Sequence, residues 1–225
     1  MKVALLSTYD LGHQPFGLAS PAAWLAEVGA EVTCNDLAVE DLDEGAVRAA
    51  GMICVYVPMH TATRLAGAVV PRLRALNAKA HLCFYGLYAP LNEDYLRGLG
   101  AGTVLGGEFE APMARLYGRL AANGAAPPEA WAEPAISHAK QRFRVPARQT
   151  LPPLSNYAYL EVEDGGQRTA GYTEASRGCK HRCRHCPVVP VYDGRFRVVQ
   201  AEVVVEDIRR QVAVGGGEGV GRVHR

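Results

Sequence analysis

Cys179, Cys183 and Cys186 fall within eight residues, in the run Gly178-Cys179-Lys180-His181-Arg182-Cys183-Arg184-His185-Cys186-Pro187. The spacing C-x3-C-x2-C puts three soft sulfur donors on one loop. Thiolate is the metal-binding form, and a free thiol reaches it only near about pH 8.5 unless its surroundings help. Arg177, Lys180, Arg182 and Arg184 surround the sulfurs with positive charge, which favours the anion and offsets the charge of a sulfide cluster with three thiolate ligands. Four thiolates would close a [4Fe-4S] cluster and suit it to electron transfer, whereas three leave one iron open to an external chelating ligand.

Other uses of the same residues are open. With His181 or His185 as a fourth donor, the triad would make a closed Cys3His zinc site, although zinc sites more often use C-x2-C pairs. Such a module would present Arg177, Lys180, Arg182, Arg184, Arg195 and Arg197 to nucleic-acid phosphates. Against nucleic acid as a partner, stacking aromatics near the cysteines are limited to Tyr192 and Phe196. A disulfide framework does not suit a chain of 225 residues with six cysteines.

The run Gly171-Tyr172-Thr173-Glu174-Ala175-Ser176-Arg177-Gly178-Cys179, followed by Cys183, Cys186 and Pro187, resembles the cluster loop of radical S-adenosylmethionine (radical SAM) enzymes. The resemblance implies that Cys179, Cys183 and Cys186 are the ligands of a [4Fe-4S] cluster whose open iron chelates the amino and carboxylate groups of S-adenosylmethionine. It implies reductive cleavage of that cofactor to a 5′-deoxyadenosyl radical, which abstracts hydrogen from a small-molecule or peptide substrate. His185 stands where the family usually has an aromatic that touches adenine, so it is the implied cofactor-binding residue. An electron donor such as flavodoxin or ferredoxin comes with that chemistry.

The loop needs elements to hold it. Residues 158–225 open with Tyr157 to Val162 and Arg168 to Thr173 around Asp164-Gly165-Gly166, a hairpin signal, and the second strand leads into the cysteines. A helix follows from about Glu202 to Val212, with Val204, Ile208 and Val212 on one face. Strand, loop and helix read as the first β/α unit of a barrel, and the resemblance implies a partial (β/α)6 radical SAM barrel with the cluster at the strand ends. After the helix comes Val214-Gly215-Gly216-Gly217-Glu218-Gly219-Val220-Gly221-Arg222, too glycine-rich for a core strand. The tail reads as a truncation, a frameshifted end or a gene-boundary error, so the radical SAM domain is expected to be incomplete and this chain inactive alone.

Residues 1–125 alternate short apolar runs with helical stretches. Lys2 to Ser7, Glu31 to Cys34, Met52 to Val57, His81 to Tyr85 and Gly102 to Leu105 have strand length. Ser20-Pro21 reads as a cap and first turn of a helix ending at Gly29, and Thr61 to Leu76 and Ala111 to Ala122 read as helices. Alternation of this kind predicts an α/β fold, a flavodoxin-like (Rossmann-like) parallel sheet with ligands beyond the carboxyl ends of its strands.

Many radical SAM proteins carry a cobalamin-binding domain of this fold, with a D-x-H-x-x-G loop whose histidine ligates cobalt, so cobalamin is a further implied cofactor. The loop here is Asp10-x-x-His13-x-x-x-Gly17, with both spacings wrong for ligation by His13. His60 reads as a surface or capping residue, and Cys34, Cys54 and Cys83 as buried, inert thiols. No phosphate-binding glycine loop follows the first strand, which excludes nicotinamide and nucleoside triphosphate readings. Glu108-Phe109-Glu110 reads as first-turn carboxylates opening the last helix.

Residues 126–157, with Pro127, Pro128, Pro134, Pro146, Pro152 and Pro153, read as a proline-bearing linker. Charge is nearly balanced overall, 24 basic against 23 acidic residues, which gives no global field for nucleic acid or membrane. No apolar run is long enough for a signal peptide or membrane span, so the expected location is the cytoplasm, where thiols stay reduced.

Overall fold

The computed structural model describes residues 1–123, 133–163, 165–214 and 221–222. Its first part runs β1 (Lys2–Ser7), α1 (Phe16–Glu27), β2 (Glu31–Asp36), α2 (Glu44–Ala49), β3 (Met52–Tyr56), α3 (His60–Leu76), β4 (His81–Tyr85), α4 (Glu93–Gly98), β5 (Thr103–Gly107) and α5 (Glu110–Asn123). The strands lie side by side in the order β2-β1-β3-β4-β5, all parallel, and β6 (Ile136–Ser137) adds a sixth beside β5. The flavodoxin-like order thus holds, with the crevice between β1 and β3 opening at their carboxyl ends.

The inner strands β1, β3 and β4 read as apolar runs because both faces are covered, whereas β2 at the edge exposes Glu31 and Thr33. Val3 and Leu5 point with Met52, Cys54 and Tyr85 towards α1 and α5. Ala4 and Leu6 point with Ile53, Val55 and Phe84 to the other side, where Val47 of α2, Val70 and Leu73 of α3 and Leu96 of α4 meet them. Each fully buried Leu or Phe there is worth about 1.5–3 kcal/mol.

Helix α1 starts earlier than Ser20-Pro21 suggests: it opens at Phe16 behind Pro15 and carries Pro21 inside it. A proline at 21 cannot donate to the carbonyl of Gly17 four residues back. Tyr85 Oη donates to that carbonyl at 2.8 Å, so a tertiary hydrogen bond replaces the missing helical one.

The segment read as a linker is not a free spacer in its described part. Phe143, Ala147, Leu154 and Tyr157 are buried, and the Ala147 amide donates to Ala19 O of α1 at 2.9 Å. Its prolines keep the chain extended or in short 3-10 turns, and the apolar residues between them settle on the sheet domain. Pro127 and Pro128 lie outside the described residues.

The second part contains β7 (Tyr159–Glu161), β8 (Gln167–Gly171), β9 (Ser176–Gly178), α6 (Val188–Tyr192), β10 (Phe196–Val198), α7 (Ala201–Val214) and β11 (Gly221–Arg222). β7 and β8 form the expected antiparallel hairpin, whose turn residue Asp164 lies outside the described residues. β11 pairs parallel with β8, so the glycine-rich tail adds two residues, Gly221–Arg222, to this small sheet and none to the six-stranded one. Glycine weakens a strand but keeps its backbone donor and acceptor. Residues 215–220 and 223–225 lie outside the described residues.

Helix α7 also departs from its apolar pattern: Asp207 and Gln211 are its buried residues, while Val204, Ile208 and Val212 are half-buried. Among the described residues, no helix is long and apolar enough to cross a membrane.

Candidate functional site

The cysteine segment is a closed excursion. β9 leads in, β10 leads out, and the two pair antiparallel with Gly178 opposite Phe196 and Arg177 opposite Arg197. Between them run the cysteines and α6, which ends in a left-handed turn at Asp193 and Gly194. Gly178 has φ +73, and a Cβ on it would collide with the Arg195 carbonyl and the Tyr192 ring. Only glycine lets the chain leave β9 towards Cys179 by this route.

All three thiols are free; Cys179 and Cys186 are half-buried and Cys183 is exposed. Among the described residues, no three His, Cys, Asp or Glu side chains are gathered closely enough to hold a metal ion. His181 and His185 are exposed on the same loop. The donor chemistry suits iron–sulfur or zinc, and the sulfurs share one short loop.

Polar pins dock this segment on the sheet domain. Arg177, read from sequence as charge for the sulfurs, is buried and turned away from the cysteines. Its Nη1 and Nη2 donate to Glu110 Oε2 and Oε1 at 2.8 and 2.5 Å, and its Nε donates to Glu174 Oε2 at 3.1 Å. Glu108 Oε2 lies 3.7 Å from Nη1. The rings of Phe109 and Phe143 stand 5.1 and 5.0 Å from the guanidinium.

Glu110 is held in turn by Ser20 Oγ at 2.7 Å and Gln141 Nε2 at 2.8 Å. Burial pushes the Glu110 carboxyl up, but the Arg177 guanidinium and these donors outweigh it and hold the group below its ordinary value. Glu108 goes the other way. Burial, with Glu110 and Glu174 nearby, pushes it up to about 7 against the pull of Arg177 and Arg197, and its Oε1 is buried with no hydrogen-bond partner. Only Glu110 lies in the first turn of α5, with Glu108 between β5 and the helix, and both carboxylates face the protein interior, where Arg177 meets them.

A second pin is Arg148, buried on the former linker. It donates to both carboxylate oxygens of Asp207 at 2.9 Å, to Gln14 Oε1 at 3.1 Å and to the Tyr172 carbonyl at 2.6 Å. The Tyr172 amide donates to Gln211 Oε1 at 3.0 Å, so both backbone groups of Tyr172 end on side chains. This network explains why α7 buries its polar side. At α6, Tyr192 Oη donates to the Gly107 carbonyl at 3.2 Å. His138 takes part through its Nε2 at 2.6 Å from Val191 O, and its carbonyl accepts from Arg197 Nη2 at 2.7 Å.

Between the segment and the carboxyl ends of the sheet lies a cleft of about 340 Å³. Asp10, Tyr56, Met59 and Phe109 line it from the sheet, and Tyr172, Glu174 and Arg177 from the cysteine segment. Its place follows the rule for open parallel sheets. Its size is at the lower end of pockets for drug-sized ligands.

The remaining sequence candidates fall as follows. His13 stacks on Tyr172, with ring centroids 4.9 Å apart and an interplanar angle of 14°. His60 is exposed at the start of α3. Cys34, Cys54 and Cys83 are buried, and burial pushes the Cys34 thiol up to about 12 and that of Cys54 well up, as inert core thiols should be. The basic face offered to nucleic acid is reduced, because Arg177 is spent on Glu110, Arg197 on His138 and Arg182 on Asp193 at 3.3 Å.

Sequence reasoning passed over Arg148, Asp207, Gln211, Gln141 and the inward role of Glu108 and Glu110. One signal was present: Asp207 and Gln211 are four residues apart on a valine-rich helix, the spacing of a common face. Arg148 carried none. No protein-family model, no curated protein and no solved structure matches the chain.

Proposed function

We propose that the chain carries the cluster-binding segment of a radical SAM enzyme, with Cys179, Cys183 and Cys186 as the ligands of a [4Fe-4S] cluster. The observation that carries this reading is the C-x3-C-x2-C loop, which leaves β9 at the wall of a cleft at the carboxyl end of the sheet. Reductive cleavage of S-adenosylmethionine to a 5′-deoxyadenosyl radical is the chemistry such a cluster supplies when bound.

The chain's own residues prepare for this in separable ways. Gly178 makes the turn that sends Cys179 off β9, and the β9–β10 pairing closes the loop so that its three sulfurs are confined to one short excursion of the chain. The thiols must give up their protons to bind, and the loop must draw its sulfurs together, so metal uptake and ordering of the loop are one event. Tyr56, Phe109 and Tyr172 give the cleft aromatic walls beside the polar groups of Asp10, Glu174 and Arg177, a mixed lining that suits a cofactor with both an aromatic base and charged groups. Exposed Cys183 and His185 leave the outer side of the loop open to a flavodoxin- or ferredoxin-like donor. Cobalamin is not part of the proposal, since neither spacing in Asp10-x-x-His13-x-x-x-Gly17 matches the loop whose histidine ligates cobalt.

Anaerobic reconstitution with iron and sulfide tests the reading. About four irons per chain, with a low-temperature EPR signal that S-adenosylmethionine perturbs, is the expected result. Stoichiometric zinc without an iron signal would overturn it in favour of the Cys3His module, as would equal iron retention by a variant with all three cysteines changed to alanine.

A further inference from the structure

Arg177 stands two residues before the first cysteine, and Glu110, its partner, opens α5 just beyond the carboxyl end of β5. We propose that Glu110 is a positioning residue for the cysteine loop: through Arg177 it fixes where the chain leaves β9 at the cleft wall, and so where Cys179 and the loop after it begin. The inference rests on the reading of the three cysteines as ligands of a cluster that works at that cleft.

The geometry argues for position over mere attachment. The guanidinium meets the carboxylate in a two-pronged fork, which sets orientation as well as distance. Glu110 is itself immobile, fully buried in the first turn of a helix and held by Ser20 and Gln141. On the other side little slack remains: Arg177 pairs across to Arg197 in the β9–β10 ladder, and the next residue, Gly178, has no room for a Cβ. The fixed point of α5 is thus transmitted over a rigid two-residue path to Cys179.

A buried ion pair gives little net stability, since two apolar residues of like volume often serve as well or better. What such an exchange loses is the single geometry of the fork. Stability and position can therefore be separated by experiment.

The full-length chain is compared with Glu110→Gln, Arg177→Lys and the double variant Glu110→Leu with Arg177→Met. Four quantities are followed: the unfolding temperature, the iodoacetamide alkylation rate of each loop cysteine in metal-free protein, hydrogen exchange at Ser176–Gly178, and the EPR change on adding S-adenosylmethionine to reconstituted protein. The single variants leave a buried group unpaired and should lower the unfolding temperature. The double variant removes both charges of the fork but leaves Glu174 and Ser20 without their partners, so it should recover only part of the unfolding temperature lost in Glu110→Gln, while its alkylation and exchange stay about tenfold faster than in the parent and its EPR response is lost.

Arg177→Lys keeps the charge without the fork, so it should stay folded and lie between the parent and the double variant. A double variant with parental stability, alkylation, exchange and EPR response would overturn the proposal, and so would an Arg177→Lys protein that alkylates at the parental rate. If even the parent takes up zinc and no iron, the cluster reading falls, while alkylation and exchange still decide whether Glu110 positions the loop.

Discussion

The sheet domain and the cysteine segment are held by opposite means. In the sheet, cohesion is spread over many apolar side chains on two faces, none of which needs a particular partner. In the segment, short strands with exposed residues such as Val198 and Tyr159 contribute little burial, and docking depends on Arg177–Glu110, Arg148–Asp207 and Tyr192–Gly107. Diffuse burial tolerates local damage, whereas a few directional contacts fail singly. The segment can therefore come loose while the sheet remains intact, a division that suits the proposed gathering of three sulfurs around a cluster.

The comparison breaks most readily at Arg148. Arg148→Ala leaves Asp207 buried without its partner, at a cost of about 3–5 kcal/mol. Hydrogen exchange should then rise in α7 and around Tyr172 with no change in α3; uniform loss of protection across both would mean that the two regions unfold as one unit. Leu5→Ala, in the middle of β1, should cost about 2–5 kcal/mol and appear in denaturant titration as a loss for the whole molecule, segment included.

Acidity probes the joint between the two regions. Glu108 keeps its proton to about 7 in the folded chain, against an ordinary value of 4.5 when unfolded. The folded state binds more protons between those limits, so this group's contribution is complete below about pH 4.5 and is lost as the pH rises through about 7. The difference in stability between the parent and Glu108→Gln should follow that slope, to an upper bound of about 3 kcal/mol. The opposite slope would mean that Arg177, not burial, governs Glu108.

Tyr85→Phe sharpens the contrast from the sheet side. It removes the donor to Gly17 O and leaves that carbonyl without a partner inside α1, for about 1–3 kcal/mol in a thermal scan. Smallest of all, Arg182→Ala removes an exposed pairing with Asp193 and should leave the unfolding temperature unchanged.

What could be read in the sequence follows the same divide. β1, β3 and β4 were legible because each is covered on both faces and so runs apolar, while β2 showed itself only through Val32 and Cys34 alternating with exposed Glu31 and Thr33. α2 and α4, six residues each with a single buried residue, gave no periodicity to read. Pro21 misled because the bond that compensates for it comes from Tyr85, far along the chain. At the site, the types and spacing of Cys179, Cys183 and Cys186 were plain, but their surroundings were not. Arg177 looked like solvated charge beside the sulfurs, and Glu110 like a helix-end carboxylate, since a pairing across 67 positions leaves no local trace. The proline-bearing stretch looked like a spacer for a similar reason: its buried residues are single, and their partners lie on other elements.

The β9–β10 ladder also orders events in time. Its strands are neighbours along the chain, so closing it restrains a short loop and costs little chain entropy, whereas the carboxylate that receives Arg177 belongs to a distant helix whose sheet must assemble from parallel, long-range pairings. The hairpin can close while that sheet is still forming. In a full chain refolding from denaturant the thiol loop is thus closed early and seated late, and its sulfurs meet the surrounding solution before Arg177 reaches Glu110.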